Sequence, residues 1–544
     1  MNRNIMIGLS WPYSNGELHI GHFGSSMPAD VMARYFRMQG DKVCMVSGSD
    51  CYGTPTSIQA QKEGVTPLSI TEKYHKKFVD IFKAIDFSFD KYTATTDDRH
   101  VQFVQDFHRD MYKSDYITTK EDKRLYCEHC QRFLPDRYVY GICPHCHNKA
   151  KGDSCSHCGQ ILEPEDLLEP KCLLCDNTPV LKDVSQLYIE LSKLTDQIVA
   201  YFNKVKDGWN LNAINMTQRY IDEGLQDRAI TRNLDWGIPV PDCNEKDKVI
   251  YNWAENVLGY LSATKMYCDE NGLNWEDWWS NDKAIHYYVH AKDNIPFHTI
   301  IFPGMLMANS HKYHLPDRVI SSEYVMLDGR KVSKSEGTVV LIRELLEYID
   351  SDYLRFYFAK NVNDKKDFNF TFQELVNSVN GEIINNWGNL VNRSLMFIKS
   401  KFSGKISVQK IDVNIEKKIK DVFAEVSEEI EQGKINIALK TILDLVDYSN
   451  KLFDEYAPWN SIKSDKTLCE KQLFNIVSLI ANINILLTPY LPKGCAKVEK
   501  LLNIKENSYN YFELTKDIEL EEIEPIYQRL DYDFIKEKYA KYIV

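Results

Sequence analysis

The chain has 544 residues, 44% of them hydrophobic and 26% charged, with a formal net charge of −12. This composition excludes long disorder, and the length is too great for a single hydrophobic core, so about three to five domains are expected. The acidic balance excludes a protein that coats polyanions indiscriminately, but it leaves room for a local RNA-binding surface.

Met1 to Leu9 lacks a small-residue cleavage site and reads as a buried first strand rather than a signal peptide. The most apolar stretch, Phe474 to Pro492, is interrupted by Asn482, Asn484 and Pro489 and reads as a buried helix. A soluble cytoplasmic chain with neither membrane nor DNA as partner is expected. Asn4 to Ser10 forms the first strand pattern, Val31 to Met38 looks helical, and Lys42 to Ser47 forms the second strand. Helical periodicity follows over Ile70 to Ile85 and Gln102 to Tyr112. This alternation predicts the first half of a doubly wound parallel sheet, a Rossmann-like α/β domain, over residues 1–113.

Residues 114–230 break the rhythm with Cys, Gly and Pro and read as an insertion. Eight of the fourteen cysteines fall here as four Cys-x-x-Cys pairs: Cys127/Cys130, Cys143/Cys146, Cys155/Cys158 and Cys172/Cys175. In a large chain of this type such spacing favours metal over disulfides, and eight thiolates suit two tetrahedral Zn²⁺ sites. Nested pairing, inner with inner and outer with outer, is the expected arrangement, although sequential pairing is also compatible with the spacing. The neighbouring His129, His145, His147 and His157 read as spectators.

The α/β pattern resumes over residues 231–320, with strands expected near Ala284 to His290 and Val319 to Tyr324. A lysine-bearing region follows at 321–370. Helical periodicity through Val413 to Trp459 and Glu470 to Leu491 predicts a C-terminal α-helical bundle over 371–544.

Two short stretches carry chemistry. His19-Ile20-Gly21-His22 directly follows the first strand and opens a helix, where an open parallel sheet binds ligands. Two imidazoles at a helix N-terminus can donate hydrogen bonds to a phosphate, and glycine between them lets a purine approach the backbone. Lys331-Val332-Ser333-Lys334-Ser335 follows a turn at Asp328-Gly329-Arg330. Its two lysines can neutralise a departing pyrophosphate.

In this order the two stretches resemble the signature motifs of class I aminoacyl-tRNA synthetases. Pro12-Tyr13-Ser14-Asn15-Gly16, Asp50-Cys51-Tyr52-Gly53-Thr54-Pro55, Trp236-Gly237-Ile238-Pro239 and Lys292-Asp293-Asn294-Ile295-Pro296-Phe297-His298 are similar to segments of the methionyl-tRNA synthetases. The resemblance spans essentially the whole chain and implies the following roles. The carboxylate of L-methionine attacks the ATP α-phosphorus, with Mg²⁺ bridging phosphates; tRNA-Met, initiator and elongator, then accepts the methionyl group. His19, His22, Lys331 and Lys334 are the catalytic residues, and Gly21, Asp293, Ser333 and Ser335 contact ATP. Methionine is bound by Trp11, Tyr13, Asp50, Arg232, Trp253, Asn256, Val257, Tyr260, Asn294, His298 and Phe302, with Asp50 and Arg232 at the ammonium end. Asn389 and Arg393, four apart on a helix face, read the anticodon with Trp459, on which a base stacks. Judged alone, Trp459 reads as a bundle core residue. The zinc sites are structural, and a monomer is implied because the chain stops soon after the bundle.

The sequence departs from the family around the amino-acid pocket. Asn252, Glu255, Asn256 and Val257 stand where the family usually has Val, Asp, Ala and Pro, and Glu323 where His or Gly is common. An asparagine facing an apolar ligand costs about 1–3 kcal/mol unless its amide finds a partner. Two other readings therefore stay beside the enzyme: a paralogue with altered amino-acid or inhibitor specificity, and a non-catalytic RNA-binding descendant.

Overall fold

The computed structural model describes residues 3–134, 138–152, 155, 157, 162–243, 248–332, 338–362, 364–504 and 508–543. Five parallel strands form the central sheet: β1 (Asn4–Leu9), β2 (Lys42–Ser49), β3 (Lys91–Ala94), β4 (Ile285–Ala291) and β5 (Arg318–Ser322). Their spatial order is β5-β4-β1-β2-β3, the doubly wound arrangement. The order in which strands are added reverses between β1 and β4, so a crevice opens beyond their C-terminal ends. β1 is almost wholly buried, as expected where both sheet faces are covered.

Helix α1 (Ile20–Met38) runs from this crevice, starting well before the Val31 suggested by periodicity. Pro28 sits inside it and masks the pattern, because its missing N–H removes one helical hydrogen bond without ending the helix. The insertion rises on a long antiparallel ribbon, Ile117–Cys127 against Val180–Ile189, which holds the cysteines away from the sheet.

The C-terminal part is helical, with its main helices at Asn389–Lys401, Val413–Glu431, Ile435–Tyr456, Lys466–Leu487 and Pro492–Leu502. From Leu473 to Leu487 every residue is buried, so the most apolar stretch is indeed a core helix. No helix among the described residues is long and apolar enough to cross a membrane. The helix Ser351–Asn361, which precedes the bundle, is tied to α1 by a buried ion pair: Arg355 Nη2 lies 2.6 Å from Asp30 Oδ2, and neither side chain is exposed. Arg355 also donates to the carbonyls of Pro489, Tyr490, Ile85 and Asp86, which saturates its guanidinium. Its partner Asp30 is held well below the usual carboxylate range by Arg355 and Arg34, against the opposing effect of burial.

Candidate active site

A cavity of about 480 Å³ occupies the crevice, lined by residues of both signature stretches and of the loops after β1, β2 and β4. Backbone pairing brings these loops together. Tyr13 and Asp50 form a parallel bridge, with Ser14 N–H donating to Asp50 O and Asp50 N–H to Pro12 O. His19 bridges Leu341, and Ile20 N–H donates to Val340 O, which stitches the histidine turn to the segment after the lysine loop. Asp328 and Gly329 adopt positive φ at a tight hairpin turn, and Thr338 Oγ1 donates to Lys331 O across the loop stem.

Backbone amides of the turn fix the tautomer of both histidines. His19 Nδ1 accepts from Gly21 N–H at 3.1 Å and His22 Nδ1 accepts from His19 N–H at 3.3 Å. With both Nδ1 atoms accepting, the ring proton of each neutral imidazole sits on Nε2, leaving an N–H donor on the far edge of each ring. A β-carbon on Gly21 would lie 3.0 Å from the His19 ring, so glycine permits this fold-back. Asp293, Asn294 and Lys331 line the same cavity. Lys331 Nζ lies 5.7 Å from the centre of the Tyr324 ring. Lys334, Ser333 and Ser335 fall outside the described residues. The unusual Glu323 also faces the cavity, and it accepts from Asn212 and pairs with Lys292, which bonds Asp367 as well.

Of the methionine-pocket candidates, Trp11, Tyr13, Trp253 and Asn294 line the cavity. Trp11 is clamped between Gly48 and Gly259, whose added β-carbons would come within 2.3 and 2.5 Å of its ring. Trp253 stacks on Phe297 at 3.7 Å between centroids, a partner that sequence spacing did not single out. Asp50, Asn256, Val257, Tyr260, His298 and Phe302 are buried behind this wall. Tyr260 and His298 are hydrogen bonded, and Tyr260 also packs edge-on against Tyr288. Arg232 is not brought to the cavity wall. Its guanidinium lies 4.0 Å over the Tyr251 ring and it lines a separate small cavity with Arg124 and Glu165.

Polar groups are unusually concentrated behind the wall. Asp50 and Glu255 are both buried, and burial pushes both carboxyls well above their ordinary range, with Asp50 adding to the effect on Glu255. Glu255 bonds His100, whose own pKa burial lowers to about 3, so the pair is neutral rather than a salt bridge. Asn252 donates to Asp50 Oδ2 at 3.0 Å and to Tyr13 OH at 3.1 Å. The sequence marked Asn252 only as a departure from valine; that departure was the one available signal. Asn256 Nδ2 is buried without a hydrogen-bond partner.

The insertion gathers Cys127, Cys130, Cys172 and Cys175 so that their sulfurs all lie within 4.8 Å of one another, and likewise Cys143, Cys146 and Cys155. Pairing is therefore nested; Cys158 lies outside the described residues. Tetrahedral zinc with bonds of about 2.3 Å spaces its sulfurs by about 3.8 Å. The separations are 3.4 Å for Cys127 and Cys175, 3.9 Å for Cys130 and Cys172, and 3.5 Å for Cys146 and Cys155. These fit a shared cation and are too long for disulfides, which need about 2.05 Å.

In the bundle, Asn389 is exposed and Arg393 half-buried on one helix. Trp459 is 47% exposed, which removes the reading of it as a core residue. Arg393 and Trp459 both pack on Phe453, at 4.4 and 6.3 Å, so they share a surface.

Residues 5–395 match the family model "tRNA synthetases class I (M)", and residues 405–524 match "Anticodon binding domain of methionyl tRNA ligase". The chain is 42% identical over 538 residues to methionine–tRNA ligase 1 of Alkaliphilus oremlandii, covering 99% of each chain. It is 41% identical over 540 residues to methionine–tRNA ligase of Bacillus mycoides, again covering 99% of each. Among solved structures it superposes on Mycobacterium tuberculosis methionyl-tRNA synthetase in complex with methionyl-adenylate with a TM-score of 0.79 at 21% identity. That match covers 97% of this chain and 100% of the other and concerns the fold.

Proposed function

The chain belongs to the methionyl-tRNA synthetases of class I, and from that membership we propose how its own residues divide the reaction. It is a methionine–tRNA ligase: methionine and ATP give methionyl-adenylate and pyrophosphate, and the methionyl group then passes to the 3′ end of tRNA. His19 and His22 present their Nε2–H donors to the α-phosphate, where charge grows as the methionine carboxylate attacks in line. Lys331, with Lys334, neutralises the departing pyrophosphate, while Gly21, Ser333 and Ser335 complete the phosphate contacts and Asp293 faces the ribose. Mg²⁺, entering with ATP, would add charge neutralisation on the phosphates. Asp50 accepts the methionine ammonium, and Trp11, Tyr13, Trp253, Tyr260, His298 and Phe302 enclose the thioether. Arg232, set behind Tyr251, supports that ring rather than contacting the amino acid.

Two structural Zn²⁺ ions would be held in the insertion, the outer by Cys127, Cys130, Cys172 and Cys175 and the inner by Cys143, Cys146, Cys155 and Cys158, and would brace its fold. Asn389, Arg393 and Trp459 read the anticodon of initiator and elongator tRNA-Met. The units are 1–113 and 231–320 for the catalytic fold, 114–230 for the insertion, 321–370 for the lysine-loop region and 371–544 for the bundle. The protein works as a cytoplasmic monomer.

The observation that carries this reading is the shared cavity of His19, His22, Asp293 and Lys331 at the sheet's switch point. Amino-acid-dependent ATP–pyrophosphate exchange across all twenty amino acids tests it. Exchange with methionine alone is expected; no exchange with any amino acid from zinc-loaded protein would remove the catalytic reading. The unpartnered Nδ2 of Asn256 supports a second reading, altered amino-acid specificity, which exchange with another amino acid would favour.

A further inference from the structure

Asp50 Oδ1 and Asn252 Oδ1 are both buried acceptors with no hydrogen-bond partner, and their side chains are joined through Asn252 Nδ2 and Asp50 Oδ2 at 3.0 Å. The second hydrogen on Nδ2 goes to Tyr13 OH, at 3.1 Å. Asn252 is 6% and Asp50 1% exposed, so neither orphaned oxygen is satisfied by bulk water. Such atoms cost about 1–3 kcal/mol each unless a donor arrives. A primary ammonium carries three donors on one centre and suits a cluster of acceptors.

We propose that Asn252 is a positioning and specificity residue for the α-ammonium group of methionine: its amide nitrogen ties Asp50 to Tyr13, and its carbonyl oxygen adds a second buried acceptor beside the carboxylate. This rests on the assignment of Asp50 to the ammonium. The role needs a neutral donor in a site without resident cations. The groups packed around Asp50 are Glu255, Cys51, Tyr52 and Tyr13, none of them cationic, and His100 behind Glu255 is held neutral by burial. Asn252 is the side chain that favours the ionised form of Asp50, against burial. A valine, the usual residue at this position in the family, supplies neither donor nor acceptor. This chain thus holds its ammonium site by an amide.

The test compares Asn252→Val, Asn252→Ser and Asp50→Asn with the parent protein. Pyrophosphate exchange is measured from about pH 6 to 9, together with inhibition by 4-(methylthio)butanoate, which is methionine without its amino group. Asn252→Val is expected to raise the KM for methionine about 10- to 100-fold with a smaller change in kcat. It is expected to move the acidic limb of kcat/KM to higher pH and to leave the inhibition constant of the deaminated acid unchanged. Asn252→Ser, which keeps one donor and one acceptor, recovers part of the loss. An unchanged KM and pH limb in Asn252→Val overturns the proposal, as does an equal loss of methionine and deaminated acid, which marks a pocket-shape effect. If Asp50→Asn leaves the methionine KM unchanged, the premise falls and the proposal with it. The parent protein's own exchange with methionine reports separately on the enzymatic reading. An unchanged KM for ATP in each variant shows that the fold is intact.

Discussion

Tyr260 OH lies 2.8 Å from His298 Nε2, while His298 Nδ1 lies 2.9 Å from the carbonyl of Asn294. A carbonyl can only accept, so Nδ1 carries the proton and Nε2 accepts from the tyrosine. Burial lowers the His298 pKa to about 4, which keeps the ring in this neutral tautomer at physiological pH. Behind the cavity wall the hydroxyl is therefore already engaged, so an apolar side chain placed there would meet shape and polarisable surface rather than a hydrogen-bond donor. Tyr260→Phe leaves His298 Nε2 buried without a donor. The expected cost is about 1–3 kcal/mol of stability, read as a lowered midpoint in denaturant, with a raised KM for methionine and an unchanged KM for ATP. An equal rise in both KM values would mean the bond serves the fold and not the pocket.

The same burial recurs at other histidines and gives the protein a defined acid sensitivity. His100 falls to about 3, His108 and His298 to about 4, and His286 and His290 well below the ordinary value. Each folded pKa lies below the unfolded value of about 6.5, so unfolding takes up protons. Their contribution is full above about pH 6.5 and is lost as the pH falls toward 4. Asp50 and Glu255, with raised folded values, act oppositely over that range and offset part of the loss. The thermal midpoint is expected to fall between about pH 6.5 and 4.5. His108→Gln, whose amide can still reach the Ala254 carbonyl, should flatten the slope by up to about 1.4 kcal/mol per pH unit. A flat midpoint over this range would contradict the neutral, buried assignment.

Nested cysteine clusters predict separable metal sites. Cys172→Ser removes a ligand from the outer group and is expected to lower bound zinc from two equivalents to one, measured by elemental analysis. Cys143→Ser should do the same through the inner group, and the double variant should hold none. Because each structural site contributes folding energy to its own knuckle, both single variants should become more protease-sensitive within the insertion while retaining the fold of the central sheet. Loss of both ions from Cys172→Ser alone would show one cooperative unit.

What was legible beforehand follows from how local the signal is. His19, Gly21 and His22 were readable because a strand, a turn and a helix start carry their meaning within a few residues. The cysteine pairs were readable because a knuckle needs two thiolates a fixed distance apart. Their nesting was the expected arrangement but was not fixed by spacing, since it depends on how the ribbon 117–127 meets 180–189. The bridge of His19 to Leu341 and the bond of Asn252 to Asp50 join positions hundreds of residues apart, and no periodicity encodes them. Arg232 is the reverse case. Its motif was recognisable, but only the packing on Tyr251 shows which cavity it borders. The start of α1 was given by the histidine stretch and not by hydrophobic periodicity, which Pro28 interrupts.

The exposed face of the bundle makes a prediction that separates the two half-reactions. Trp459 stands 47% exposed at the start of the helix Pro458–Ser464, where Ala457 takes a left-handed backbone to turn the chain. A large aromatic held this way, beside a guanidinium packed on Phe453, offers a stacking platform for an unpaired base. Arg393 is already fixed by Asp454 at 2.7 Å and by the carbonyl and side chain of Asn450, so its geometry is set before RNA arrives. Trp459→Ala removes a stacking contribution of about 1–3 kcal/mol, so tRNA charging should fall roughly 10- to 100-fold in kcat/KM for tRNA. Methionine-dependent pyrophosphate exchange, which needs no tRNA, should be unchanged in the same variant. Arg393→Ala should behave similarly in charging but also loosen the Asn450 and Asp454 contacts, lowering the thermal midpoint. If Trp459→Ala charges tRNA at the parent rate, base stacking at this position is refuted. A matching loss of pyrophosphate exchange would instead place the effect in the fold, because the residue lies outside the catalytic cavity.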